Sequence, residues 1–307
     1  MRLNSAAERR VSSEYLLKSA INLSRVLIKV DKTDNDDPTQ DIWMQFQDGA
    51  EIPGAFLGIT EQNVRLQLQL TSENGKFPIR KILQGNGLQV DVRNRDILRR
   101  LFKVLGFDND TNEVDQTSLF AGRHFKSDEL VANLIDYMDA NTDNYDEPGF
   151  AQGIEAGLPT NAGFRNEFIE SLSSELSGIP GFTPARVQRL LPFITANSSG
   201  KINVNAAPKE VLMALSDDVT DAVGQAIIDF RTPQGGGPFT SFNMRSELKR
   251  LANSSDPIFD SSVIDYKGSY YEVITKVDFG TSNFMARAII YAKRQGELPD
   301  VIKQELF

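Results

Sequence analysis

The chain has 307 residues, enough for two domains with separate cores. It carries 33 Lys and Arg against 42 Asp and Glu, a formal net charge of −9, so its long-range field repels phosphate backbones. With no cysteine and a single histidine, His124, it excludes a disulfide framework and most metallohydrolase and Ser-His schemes.

From Ala6 to Val30 the apolar residues recur at helical steps: Tyr15, Leu16, Ala20, Leu23 and Leu27 form a stripe that Leu17, Ile21 and Ile28 widen. Asp31 to Asp41 reads as a polar, Asp-rich loop. Two strands are expected next, at Gly54 to Gly58 and at Val64 to Leu70. In the second, Val64, Leu66, Leu68 and Leu70 alternate with Arg65, Gln67 and Gln69, one face buried and one wet. Glu73 to Lys76 supplies a turn. From Asp91 the period becomes helical, with helices expected at 97–105, 127–138, 164–176, 184–191, 208–215, 221–230 and 241–251 and caps at Asn94, Ser127, Thr183, Thr220 and Ser241. Strand alternation returns at Tyr271, Val273, Thr275, Val277 and Phe279, and a second strand follows from Phe284 to Lys293.

Two strand regions separated by a helical block predict one sheet whose chain is interrupted, because neither region can bury its apolar face alone. The expected fold is α+β: an N-terminal helix on a small antiparallel sheet, in a discontinuous domain of residues 1–90 and 268–307. A large all-α insert, residues 91–267, interrupts it. Two sequential domains, with the C-terminal hairpin attached to the helices, are the alternative.

Within the insert, Leu176 to Pro192 and Ile202 to Arg231 each read as a helix, a tight hairpin and a helix. The first holds Gly178, Pro180 and Gly181 at its bend, with Thr183 and Pro184 opening the next helix. Such helix-hairpin-helix units commonly hold DNA phosphates, so a DNA-binding protein is the competing functional class. Neither hairpin supplies the basic patch that phosphate binding needs.

Asp136 to Glu147 carries the sharpest chemical signal. Asp139, Asn141 and Asp143 set oxygen ligands at alternate positions, as the first half of an EF-hand loop does. An oxygen cluster without His or Cys suits Ca2+ better than zinc or iron. The EF-hand pattern then breaks, with Asn144 where glycine belongs and Phe150 where the closing glutamate belongs. Asp146, Glu147 or Glu155 are the candidates to close the ligand set. Asp136 also sits at a helix C-terminus, where the macrodipole disfavours anions. The competing reading is a solvated helix end with Asn and Asp turns. A second acidic run, Asp108 to Glu113, reads as an ordinary polar loop. Gly235 to Gly237 lacks the Lys-Ser/Thr end of a P-loop, and no catalytic constellation stands out.

Several segments taken together resemble the minor pseudopilin K family of the type II secretion system, also called general secretion pathway protein K. They are Leu134-Ile-Asp-Tyr-Met-Asp-Ala-Asn141, Lys201-Ile-Asn-Val-Asn-Ala-Ala-Pro-Lys-Glu-Val-Leu212, Asp41-Ile-Trp43 ahead of Ile52-Pro-Gly54, and Leu191-Pro-Phe-Ile-Thr195. The resemblance implies a pilin-like fold with a helical insert, calcium near Asp139 and no enzymatic activity. It also implies a periplasmic protein anchored in the inner membrane by an N-terminal helix. Its partners would be minor pseudopilins I and J at the tip of the pseudopilus, and secreted substrates, with no nucleic acid. The hydrophobic first helical turns of that family are not in this sequence, so the chain is expected to begin just after the anchor. The bulky insert is expected to prevent another subunit from stacking above this one.

Overall fold

A computed structural model describes residues 2–53, 64–117, 119–159, 163–254 and 259–307. In chain order its elements are α1 (Arg2–Val30), β1 (Ala50–Ile52), β2 (Arg65–Ser72), β3 (Phe77–Pro78), α2 (Val92–Val104), α3 (Ser127–Met138), α4 (Leu172–Glu175), α5 (Pro184–Leu190) and β4 (Ile194–Thr195). They continue with β5 (Ile202–Asn203), α6 (Lys209–Ala214), α7 (Asp221–Phe230), α8 (Met244–Ala252), β6 (Ile264–Asp265), β7 (Tyr270–Asp278), β8 (Asn283–Tyr291) and β9 (Asp300–Leu306). The strand expected at Gly54 to Gly58 lies outside the described residues. The chain divides into two units. The first holds Met1–Glu73, Arg231–Thr240 and Lys267–Phe307; the second holds Asn74–Phe230 and Ser241–Tyr266.

In the first unit, α1 buries Ser13, Leu17, Ala20, Ile21, Ser24 and Ile28, which recur at three- and four-residue steps. The stripe is rotated from the expected one. Tyr15 is 70% exposed, and Leu16, Leu23 and Leu27 are only partly buried. The two serines are tolerated on the inner face because each hydroxyl donates back to its own helix, Ser24 to the Ala20 carbonyl at 3.0 Å.

The sheet is five-stranded, in the order β1-β2-β7-β8-β9, and every pairing is antiparallel. Leu66, Leu68 and Leu70 of β2 pair with Val277, Thr275 and Val273 of β7, so the alternating inner faces meet in register. These residues, Ala286, Ala288 and Ile290 of β8, the inner face of α1, and Trp43 form one core. Each fully buried Leu, Ile or Val there contributes about 1.5–3 kcal/mol. The ladder of β2 on β7 joins the two strand regions directly. The fold is the α+β arrangement of a leading helix on a split antiparallel sheet, interrupted by a helical block. Strand β9 was not expected, since its residues are mostly exposed on both faces and show no alternation.

The second unit begins earlier than the expected insert. Residues 74–90 belong to it because β3 pairs in parallel with β4 and the turn at Ile79–Ile82 packs on α2. A second parallel pair, β5 with β6, also lies within it, so the unit is mainly rather than wholly helical. Helix α2 is capped by Asp91, whose carboxylate accepts from Asn94 N–H at 3.0 Å; the expected cap, Asn94, is the donor instead. Helix α3 is buried nearly all round past its polar first turn, Ser127 to Glu129, and from Leu130 onward its sequence is accordingly apolar except at Asn133 and Asp136. The helix expected over 164–176 shrinks to α4, because Asn166 takes a left-handed φ of 57° and Glu175 accepts from the Glu170 and Ser171 N–H groups.

Candidate functional site

Helix α3 delivers Asp136 and Asp139 to the point where the chain leaves the core. Asp136 is fully buried, and the following loop folds around its carboxylate. Oδ1 accepts from Tyr145 N–H at 2.6 Å, and Oδ2 accepts from Ile154 and Glu155 N–H at 2.6 and 2.9 Å. Gly153 makes this possible, since a methyl there would overlap both carboxylate oxygens. Burial pushes the Asp136 carboxyl above its ordinary value, against the three N–H groups that hold it down.

Asp139 and Glu155 lack comparable support. Asp139 is 5% exposed and Glu155 7%, and Asp139 Oδ1 and Glu155 Oε2 are buried without a hydrogen-bond partner. Burial, followed by the Asp136 charge, pushes Asp139 up to about 7. Glu155 is raised by burial and by the charges of Asp136 and Asp143, despite the hydrogen bond that its Oε1 accepts from Asn166 Nδ2 at 2.8 Å. Partnerless carboxylate oxygens beside a third buried acid need a proton or a cation.

The other expected ligands are placed differently. Asn141 Oδ1 closes a turn by accepting from Asp143 N–H at 2.7 Å, and Asp143 itself is exposed. Asp146 is also exposed. Glu147 is taken up by Arg95, which it pairs with directly, and by the Tyr145 hydroxyl at 2.5 Å. Arg95 in turn lies over the Phe150 ring at 4.3 Å. Glu147 is therefore a structural anion. The loop brings together Asp136, Asp139 and Glu155, with Asn141 and Asp143 at their margin. Among the described residues, the acids whose ligand oxygens approach within 4.8 Å of one another are a different set, Asp31, Asp36 and Asp41. They stand at five-residue intervals in the run that reads as a polar, Asp-rich loop, a spacing that matches no metal-ligand motif.

The first helix-hairpin-helix unit is fastened to the run that reads as an ordinary polar loop. Asp108 accepts from the Ser127 N–H at 2.7 Å and so supports the start of α3, where Ser127 was the expected cap. Arg186 of α5 is 0% exposed and gives its guanidinium to Asp110, to the Phe107 carbonyl and to the Gly181 carbonyl. Arg189 pairs with Asp110 as well. The hairpin N–H of Gly181, the kind of group that would hold a phosphate, donates instead to Asp115 Oδ2 at 2.6 Å. Gly181 has a φ of 90°, and Leu130 and Phe125 pack against the space a side chain would fill. The expected start of α5 holds, with Thr183 Oγ1 accepting from Arg186 N–H at 3.3 Å and Pro184 in the first turn. The hairpin's cations and its N–H are thus committed to carboxylates of the same unit.

Two sequence-family models described as Type II secretion system (T2SS), protein K match the chain, one over residues 75–199 and one over 202–262. Together they span more than half of it. No curated protein matches. The fold is similar to a chain in the crystal structure of the GspK-GspI-GspJ complex from enterotoxigenic Escherichia coli Type 2 Secretion System. That similarity has a TM-score of 0.61 at 14% identity, and covers 100% of this chain and 99% of that one. The two matches follow one another along the second unit, and they span both the α3 loop and the helix-hairpin-helix units. The chain belongs to the type II secretion system protein K family.

Proposed function

We propose that this protein is a non-enzymatic minor pseudopilin that sits at the tip of the type II secretion pseudopilus on the periplasmic side of the inner membrane. There it assembles with pseudopilins I and J to start or cap the fibre, and it meets secreted substrates. The observation that carries this reading is family membership combined with fold similarity along the full chain to a member of a complex that also contains GspI and GspJ. The outer face of α1 supports it: Val11, Tyr15 and Val26 are 55, 70 and 46% exposed, leaving apolar side chains for neighbouring helices. No described helix is long and apolar enough to cross a membrane. Mixing the purified chain with its cognate I and J partners should give a ternary complex that elutes as one species in size-exclusion chromatography. Three separate peaks at micromolar concentration would count against the reading.

The second part of the proposal is that Ca2+ stabilises the helical unit through Asp139 and Glu155, with Asp136 holding the loop in place and Asn141 and Asp143 completing the oxygen shell. The partnerless oxygens of Asp139 and Glu155 support it. A cation bound only to the native unit stabilises it by mass action, by about 2.7 kcal/mol at a hundredfold excess over Kd. Calcium is expected to slow hydrogen exchange across residues 139–158, and the pair Asp139→Asn with Glu155→Gln should abolish that protection. Exchange in this loop that ignores both calcium and chelator would rule the ion out.

A further inference from the structure

The acid trio of the first unit lies outside the loop just described. Asp31, Asp36 and Asp41 each offer a carboxylate oxygen, those oxygens lie within 4.8 Å of one another, and the residues are 8, 0 and 2% exposed. Some of their charge is answered locally. Lys267 Nζ lies 3.4 Å from Asp31 Oδ2 and donates to the Thr33 carbonyl. The Thr33 hydroxyl lies 2.7 Å from both Asp31 Oδ1 and Asp41 Oδ1. Asp41 Oδ2 accepts from Asp37 N–H at 2.8 Å, and Asp36 Oδ2 from Gly268 N–H at 3.1 Å. Three carboxylates this close in a buried place repel one another, and a cation between them would relieve that repulsion.

A second observation points into the same space. Ser72 is 6% exposed, and its Oγ is buried without a hydrogen-bond partner. A Cβ built on Gly268 would lie 2.5 Å from that Oγ, 3.3 Å from Asp36 Oδ2 and 3.5 Å from the Tyr271 hydroxyl oxygen. The serine oxygen and Asp36 Oδ2, an oxygen of the trio, therefore border the same space on the open side of a glycine. Tyr271 donates its own proton elsewhere, to the Gly268 carbonyl at 3.0 Å. A buried hydroxyl left unpaired is destabilising unless another group uses its oxygen.

We propose that Asp31, Asp36 and Asp41 hold a hard divalent cation, calcium above all, with the Ser72 hydroxyl as a neutral oxygen facing the same ion. The donor set is all oxygen, which selects against zinc and copper. Such an ion would fasten the loop after α1 to the start of β7, since Asp36 already meets the Gly268 backbone beside that strand. The site is independent of Asp139 and Glu155 and belongs to the other unit.

The test uses terbium as a luminescent substitute for calcium. The chain has a single tryptophan, Trp43, two residues beyond Asp41, and its ring meets that of Tyr271 at 5.0 Å between centroids. Exciting the indole at wavelengths where tyrosine does not absorb should give terbium emission from the full chain. Excess calcium should quench it, and the emission should persist in Asp139→Asn/Glu155→Gln. It should be lost in Asp36→Asn/Asp41→Asn. Absent emission from the full chain, emission surviving the Asp36/Asp41 change, or emission lost with the Asp139/Glu155 change would each overturn the proposal. If the Asp36/Asp41 variant does not fold, the wild-type and Asp139/Glu155 measurements decide alone.

Discussion

Replacing Asp136 with asparagine is expected to melt the helical unit about ten degrees early. The carboxylate accepts three backbone N–H groups, from Tyr145, Ile154 and Glu155, in a place closed to water. An amide has one oxygen, so its NH2 must face at least one of those donors. Each buried donor left unpaired costs about 1–3 kcal/mol, and a whole domain is stable by only about 5–15 kcal/mol. Losing the negative charge also relieves repulsion on Asp139 and Glu155. That relief is the smaller effect, because Asp139, pushed up to about 7 chiefly by burial, can already shed its charge by taking a proton near neutrality. Circular dichroism melting checks the result. A variant melting within a few degrees of the parent would mean that the loop does not depend on this cradle.

Arg186→Ala should also be damaging, by about 2–4 kcal/mol, because it removes the buried guanidinium from Asp110 and leaves that carboxylate to Arg189 and His124 alone. It also leaves the Phe107 and Gly181 carbonyls without their donor. Lysine should not restore stability, since a point ammonium cannot reach Asp110 and two carbonyls in one plane. The same cluster sets a pH dependence. Burial alone would raise the Asp110 carboxyl, but hydrogen bonds from Arg186, His124 and Arg189 together hold it below the usual range. A group whose folded value is depressed contributes stability above its unfolded value and loses it as pH falls through the folded one. The helical unit should therefore lose stability on acidification below the ordinary carboxylate range. In Arg186→Ala that part of the acid loss should shrink. Urea midpoints measured at several pH values would show it, and equal slopes for parent and variant would exclude Asp110 as its source.

The elements legible in the sequence are those whose apolar pattern answers a single neighbour. Leu66, Leu68 and Leu70 alternate because only one face of β2 is covered, and the start of α5 is readable because Thr183 and Pro184 are local signals. Strand β9 was missed because its pairing is backbone ladder with β8 and its side chains carry no period. At the α3 loop, Asp136, Asp139 and Glu155 were recognisable as oxygen donors. The commitment of Glu147 to Arg95 was not, since that partner lies 52 residues away. Asp108 and Asp110 read as members of an ordinary polar loop, yet they anchor α3 and α5. Only tertiary partners distinguish the two roles.

The pairing of Ser72 with Tyr271 means that the intervening segment leaves the sheet and rejoins it at one place. During synthesis β2 therefore emerges long before the strand it needs, and one of its edges stays unpaired until residue 270 has followed. The helical unit, nearly continuous in the chain, can close first. Vectorial emergence then imposes an order of assembly in which the sheet forms last. A nascent chain stalled before β7 would expose a sticky strand edge to chaperones and proteases.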